Sequence, residues 1–107
     1  MGRVTLTGFL ICRSLDEADR VAALLPEHIR QTRAEPGCLV FEVIRSMSDP
    51  TRFAVREVFA DRAAFDAHQA RITDSDWGRA TRGIGRDYVL TQRGTETQVV
   101  RNLPKAD

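Results

Sequence analysis

Three side chains in this sequence combine ionisable chemistry with positions that should be buried: His28, Glu57 and His68. Glu57 is a lone carboxylate in the strand-like run from Arg52 to Ala60. His68 lies between Phe65 and Ile72 on the apolar stripe of a helical segment that starts at Asp61. A carboxylate on a facing strand can hold an imidazole in one tautomer and raise its basicity. Such an imidazole can take the proton of a ligand hydroxyl. The same two residues can also form a purely structural ion pair, and Glu57 has a second possible partner in a diagonal salt bridge to Arg45. A lone inward histidine is commonly a hydrogen-bonded core residue. His28 shares a stripe with Leu24 and Leu25. Trp77, the only tryptophan, either lines a pocket for a flat ligand or seals the core. Arg71, Arg79 and Arg82 are either solvated or available to an anionic ligand.

The elements that must position these residues can be read from period and punctuation. Val4 to Cys12 is a strand. Ser14, with Glu17 three residues on, has a capping-box pattern and opens a helix whose stripe holds Val21, Leu24, Leu25, His28 and Ile29. Pro26 should kink or restart that helix, because proline removes a backbone donor and crowds the preceding turn. Glu35-Pro36-Gly37 ends it. Cys38 to Met47 and Arg52 to Ala60 are strands joined by the hairpin loop Ser48-Asp49-Pro50-Thr51. Asp61 caps a second helix carrying Ala64, Phe65, His68 and Ile72 on one face. Asp74-Ser75-Asp76 caps a short helix through Trp77 to Thr81, Gly83 and Gly85 end it, and Asp87 to Arg93 is the fourth strand. Thr97 to Arg101 is a strand-like patch in an otherwise loosely constrained tail.

The order β-α-β-β-α-β predicts a ferredoxin-like α+β fold with a four-stranded antiparallel sheet, its first and third strands central. Register across the hairpin can be argued from charge. Glu42 opposite Glu57 would set like charges against each other. A shift of one residue pairs Val43 with Glu57 and Phe41 with Phe59. That places Phe41, Val43, Phe53, Val55, Glu57 and Phe59 on one face and leaves Glu42 diagonal to Arg56. Two helices cover only one face of such a sheet, yet both faces of the first two strands are largely apolar. A second copy of the chain is therefore expected on the other face.

The 107 residues are expected to form a single domain, with a core at about 3–93 and a tail at 94–107. A hydrophobic fraction of 42% and a charged fraction of 29% are ordinary for a globular chain, and the net charge of +1 gives no reason to expect nucleic acid or an anionic membrane as partner. No apolar run reaches the roughly 20 residues of a membrane span, and the N-terminus lacks a signal-peptide pattern, so a cytoplasmic location is expected. Cys12 and Cys38 sit in no metal-ligand spacing. They fall at opposite ends of two parallel strands, which argues against a disulfide, and both read as core residues. No metal site is expected from two histidines without closely spaced carboxylates. The glycines form no phosphate-binding loop or dinucleotide fingerprint.

The segment Glu35-Pro36-Gly37-Cys38, the Asp49-Pro50 hairpin, Glu57 with Phe59, and Ala64-Phe65 followed by His68 resemble the antibiotic biosynthesis monooxygenase family, including its quinol monooxygenase-like members. The resemblance spans roughly residues 3–93. It implies a dimeric α/β barrel with a pocket between helices and sheet in each subunit, and a C-terminal tail able to cross to the partner. It also implies oxidation of a quinol or polycyclic phenol by O2 with no cofactor, the substrate supplying the electrons. His68, Glu57 and His28 are then the expected catalytic residues. Trp77, Phe41, Phe59, Phe65 and Arg71 are the expected substrate-binding ones. Haem-degrading relatives carry an asparagine on the first strand, whereas the only asparagine here is Asn102. Their tryptophan and histidine also have a spacing that is not found here. Two alternatives stay open: an isomerase of a small phosphorylated metabolite, which converging arginines would favour, and a non-catalytic binding or stress-related barrel, which a filled core would favour.

Overall fold

The computed structural model describes residues 2–92 and, as backbone, residues 96–102. The elements are β1 (Val4–Ile11), α1 (Leu15–Arg33), β2 (Cys38–Arg45), β3 (Arg52–Phe59), α2 (Arg62–Thr73), α3 (Asp76–Thr81), β4 (Gly85–Gln92) and β5 (Glu96–Asn102). The strands form one antiparallel sheet in the order β2-β3-β1-β4-β5. Its first four strands, with the helices between them, make the ferredoxin-like βαββαβ unit, with β1 and β3 inside. The strand-like patch in the tail is a fifth strand that extends this unit by pairing with β4 of the same chain. Residues 103–107 lie outside the described residues. Among the described residues, no helix is long and apolar enough to cross a membrane.

Capping side chains start α1, α2 and α3. Ser14 accepts from the Glu17 amide, Asp61 from the Ala64 amide and Ser75 from the Gly78 amide. The Glu17 carboxylate reaches back one residue further than a capping box requires, accepting from the Arg13 amide at 2.8 Å. α1 buries Ala18, Val21, Leu25, His28 and Thr32, a helical period along one stripe. No restart occurs at Pro26. The helix runs unbroken through it, leaving only the Ala22 carbonyl without its usual helical donor.

The hairpin register differs from expectation by two residues. Phe41 lies opposite Glu57 and Val43 opposite Val55, with an irregularity between Cys38 and Val40 that leaves Leu39 without a partner. A two-residue shift keeps every side chain on its face, so Phe41, Val43, Phe53, Val55, Glu57 and Phe59 all point at the helices and are buried. Burying a phenylalanine such as Phe53 or Phe59 contributes roughly 1.5–3 kcal/mol. Glu42 falls directly opposite Arg56, 3.8 Å away, rather than diagonal to it. Arg45 pairs with Asp19 at 2.9 Å and donates to the Pro50 carbonyl, so it is no partner for Glu57. Both cysteines are free; Cys12 is buried, while Cys38 is only half-buried at the edge of the core.

Two close approaches set the frame of the site. Gly8 on β1 has φ 144°, and a side chain there would meet the Asp87 carbonyl at 2.0 Å, so only glycine lets β1 and β4 approach with Tyr88 opposite. A Cβ on Gly37 would lie 2.2 Å from that of Ala64, so the turn after α1 presses directly on α2 one helical turn before His68. On the far side of the sheet Phe9, Ile44 and Val89 are exposed.

Candidate active site

Between the helices and the sheet lies a cavity of about 220 Å³. Its floor is the helix-facing side of the sheet, with Leu6, Leu10, Phe41, Val43 and Val55. α1 contributes His28, α2 contributes Phe65, His68, Gln69 and Ile72, and α3 contributes Trp77. Glu57, Arg86, Tyr88 and Leu90 complete it. The wall is mostly apolar, the ordinary character of a small-molecule site.

His68 sits at the centre of the polar chemistry. Its ring is almost fully buried, tilted against Phe59 at 4.9 Å between centroids and against Phe41 at 5.8 Å. The carboxylate that orients it is Glu35, not Glu57. Nδ1 lies 2.8 Å from Glu35 Oε1, and an Nδ1–H donated to that carboxylate leaves the Nε2 lone pair facing the cavity. Glu35 is itself held by Arg71, whose Nε donates to Oε2 at 2.6 Å, while its Nη2 donates to Thr32 Oγ1 and its Nη1 to Gln31. Burial lowers the basicity of His68, and the hydrogen bond and charge of Glu35 oppose that fall.

Glu57 Oε1 is 3.9 Å from His68 Nε2, beyond hydrogen-bond reach but on the cavity side. Burial raises the Glu57 pKa to about 8, reinforced by the charge of Glu35 and opposed by Arg86. At neutral pH Glu57 is therefore a largely protonated acid facing a neutral imidazole across a gap, rather than half of an ion pair. Burial also depresses His28, to about 3, helped by His68 and Arg71. His28 stacks face to face on Trp77, with centroids 4.2 Å apart and an interplanar angle of 3°, and meets Phe41 edge-on. Tyr88 has its hydroxyl pKa pushed upward by burial.

The structure thus brings His28, Glu57, His68, Trp77, Phe41 and Phe65 to one cavity. Two expected substrate-binding residues stand elsewhere. Phe59 lies behind His68 and packs on it and on Phe65, outside the lining. Arg71 is also outside the lining, and its guanidinium is occupied by Glu35, Thr32 and Gln31. Four polar residues of the site are not among those that the sequence singles out: Glu35, Gln69, Arg86 and Tyr88. Glu35 did carry a signal. A carboxylate just past a helix C-terminus opposes the helix dipole, so it calls for a cationic or hydrogen-bonding partner from elsewhere. Tyr88 could have been found from the alternation Arg86, Tyr88, Leu90, which turns it inward opposite Gly8. Among the described residues, no three histidines, cysteines or carboxylates are grouped to hold a metal ion.

Fold and site together define a ferredoxin-like α+β domain with a histidine–carboxylate pair opening on an apolar cavity. Residues 15–72 match the antibiotic biosynthesis monooxygenase family, and the chain belongs to that family. Its fold is shared by solved structures of low identity. A protein from Shewanella oneidensis is 22% identical with a TM-score of 0.64, the match covering 92% of this chain and 93% of the other. A Deinococcus radiodurans protein, put forward as an antibiotic biosynthesis monooxygenase, is 20% identical with a TM-score of 0.67, covering 91% and 98%. No curated protein matches the chain.

Proposed function

We propose that this chain is a homodimeric monooxygenase that oxidises a quinol or small fused-ring phenol with O2 and uses no cofactor. The observation that carries this reading is His68, held at Nδ1 by Glu35 with its Nε2 toward an apolar cavity. Nε2 takes the proton of the substrate hydroxyl. The resulting phenolate is electron-rich enough to reduce O2, a carbon–oxygen bond forms at the activated ring, the peroxide takes the proton back from Nε2, and the hydroperoxide loses water to leave a carbonyl. The substrate gives up two hydrogen atoms and gains one oxygen atom, while the second oxygen leaves as water, so no external reductant is required. The apolar wall excludes bulk water from the anion. A volume of about 220 Å³ is just below the range of roughly 300–1,000 Å³ for drug-sized ligands, which favours one or two fused rings over larger systems.

The phosphorylated-metabolite reading loses its support at Arg86. This is the only arginine in the lining, and its guanidinium already donates to the carbonyls of Thr81 and Ile84 and to Thr81 Oγ1. A cavity reached by both histidines likewise speaks against a purely structural barrel.

The test is aerobic turnover of a panel of one- and two-ring quinols, with tricyclic hydroxyanthrones as the oversized comparison, followed by oxygen uptake with metals chelated. Wild-type protein should consume O2, and His68→Ala should lose roughly 100-fold or more of the rate, the usual contribution of a general base. Unchanged oxidation by His68→Ala, or uptake abolished by the chelator, would overturn the reading. Glu35→Gln should keep partial activity, with the acidic limb of its pH profile moved to lower pH, because His68 loses the group that supports its protonated form.

A further inference from the structure

His28 is the one residue of the cavity whose hydrogen bonding is incomplete in an informative way. Its ring is 4% exposed, and among the described residues Nδ1 is the only buried side-chain polar atom without a partner. A sealed nitrogen with no acceptor nearby is a poor place for a proton, since a buried unpaired N–H loses its hydration without return. The proton is better placed on Nε2. In a histidine ring Nε2 lies on the side away from Cβ, and the ring reaches from α1 into the cavity lining, with the Phe41 ring 5.3 Å away at an interplanar angle of 80°. The flat stack on Trp77 fixes the plane of the ring, so Nε2–H is confined to that plane. His68, with ring centroid 6.2 Å away, presents the opposite polarity: its Nδ1–H is bound to Glu35 and its Nε2 is the acceptor.

We infer that His28 is a fixed hydrogen-bond donor to an oxygen of the ligand in this cavity, and that it selects aromatic ligands carrying a carbonyl or oxyanion as well as the hydroxyl that faces His68. This deepens the proposed reaction and rests on it only for the ligand class. In that reaction, charge leaving the hydroxyl at His68 spreads across the ring to an oxygen that His28 stabilises without itself exchanging a proton. Its low basicity fits this role, because the imidazole stays uncharged across the working pH range. Trp77 keeps the donor in plane and so acts as a positioning residue.

Binding without turnover tests this. 1-Tetralone and tetralin share a bicyclic shape and differ by one carbonyl, and neither needs O2 to bind. Calorimetric titration under nitrogen should show His28→Phe, which retains a ring to stack on Trp77, weakening 1-tetralone roughly three- to tenfold while leaving tetralin within twofold. His28→Gln, which places an amide N–H at similar reach, should recover most of the loss. Equal weakening of both probes, no weakening of either, or no preference for 1-tetralone in the wild type would overturn the inference. A second measurement needs no variant: nitrogen-15 spectra of the free wild-type protein should show His28 as the Nε2–H tautomer, and an Nδ1–H tautomer would overturn it. Because these readings are made without oxygen, they can fail while the oxidation stands, or hold while it fails.

Discussion

Glu57 carries a proton at a pH where a solvated glutamate has lost it, and the stability of the whole chain should register that difference. Unfolded, the group ionises around its model value of 4.5; folded, burial holds it protonated up to about 8. Between those values the folded chain binds the extra proton, so stability falls as pH rises through the window. Glu57→Gln should flatten this slope in denaturant titrations and stabilise the protein by on the order of a few kcal/mol above pH 8, with little gain at pH 4. His28 works in the opposite window. The unfolded histidine protonates below its model value of 6.5 and the folded one only near 3, so stability is lost as pH falls between the two. A variant without Glu57 should therefore be stable over a broad plateau from about pH 7 to about pH 9, where the buried Cys12 thiol begins to impose a similar loss.

At the scale of elements, the pocket depends on how α2 is moored. Its inward residues are few, Phe65 and His68 being its only buried ones. The hydrogen bonds from Arg71 to Glu35, Thr32 and Gln31 fasten it to the end of α1 and the following turn. Arg71→Ala should cost about 1.5–3 kcal/mol, the range for charge-assisted hydrogen bonds. The loss should appear as faster amide exchange across residues 62–73 before any change in the sheet. The moorings also explain what the sequence could not reveal. Strand alternation, the caps at Ser14, Asp61 and Ser75, and the inward stripe of α1 are local signals, and each was legible. The partner of His68 is not local: Glu35 and His68 meet because Gly37 and Ala64 allow two distant segments to touch. Hairpin charge patterning identified the face of Glu57, since face depends only on parity. It missed the pairing because parity leaves the register open in steps of two, and the hairpin turn decides it by closing where the Ser46 amide donates to the Arg52 carbonyl. Pro26 misled for a related reason, as the packing of α1 holds the helix through a residue that would break it in isolation.

For the whole molecule, the uncovered sheet face is the feature that a monomer leaves unexplained. Phe9, Ile44 and Val89 stand exposed there beside the Glu42–Arg56 pair, an apolar surface that the proposed homodimer would cover. Ile44→Glu should lower the sedimenting mass to that of one chain at micromolar concentration and leave the far-ultraviolet circular dichroism unchanged. A wild type that already sediments as a monomer would remove the homodimer from the proposal. The family and fold belong to this scale too, and they were legible because they rest on the order of elements and on turns. The occupant of the cavity was not, because selectivity there depends on which nitrogen of each histidine faces inward. The stacked wall of the cavity has one more consequence. The chain has a single tryptophan, and that indole lies flat on His28 at the edge of the space a ligand would enter. Its ultraviolet emission therefore reports on one location, and the molecule carries an optical gauge of its own occupancy.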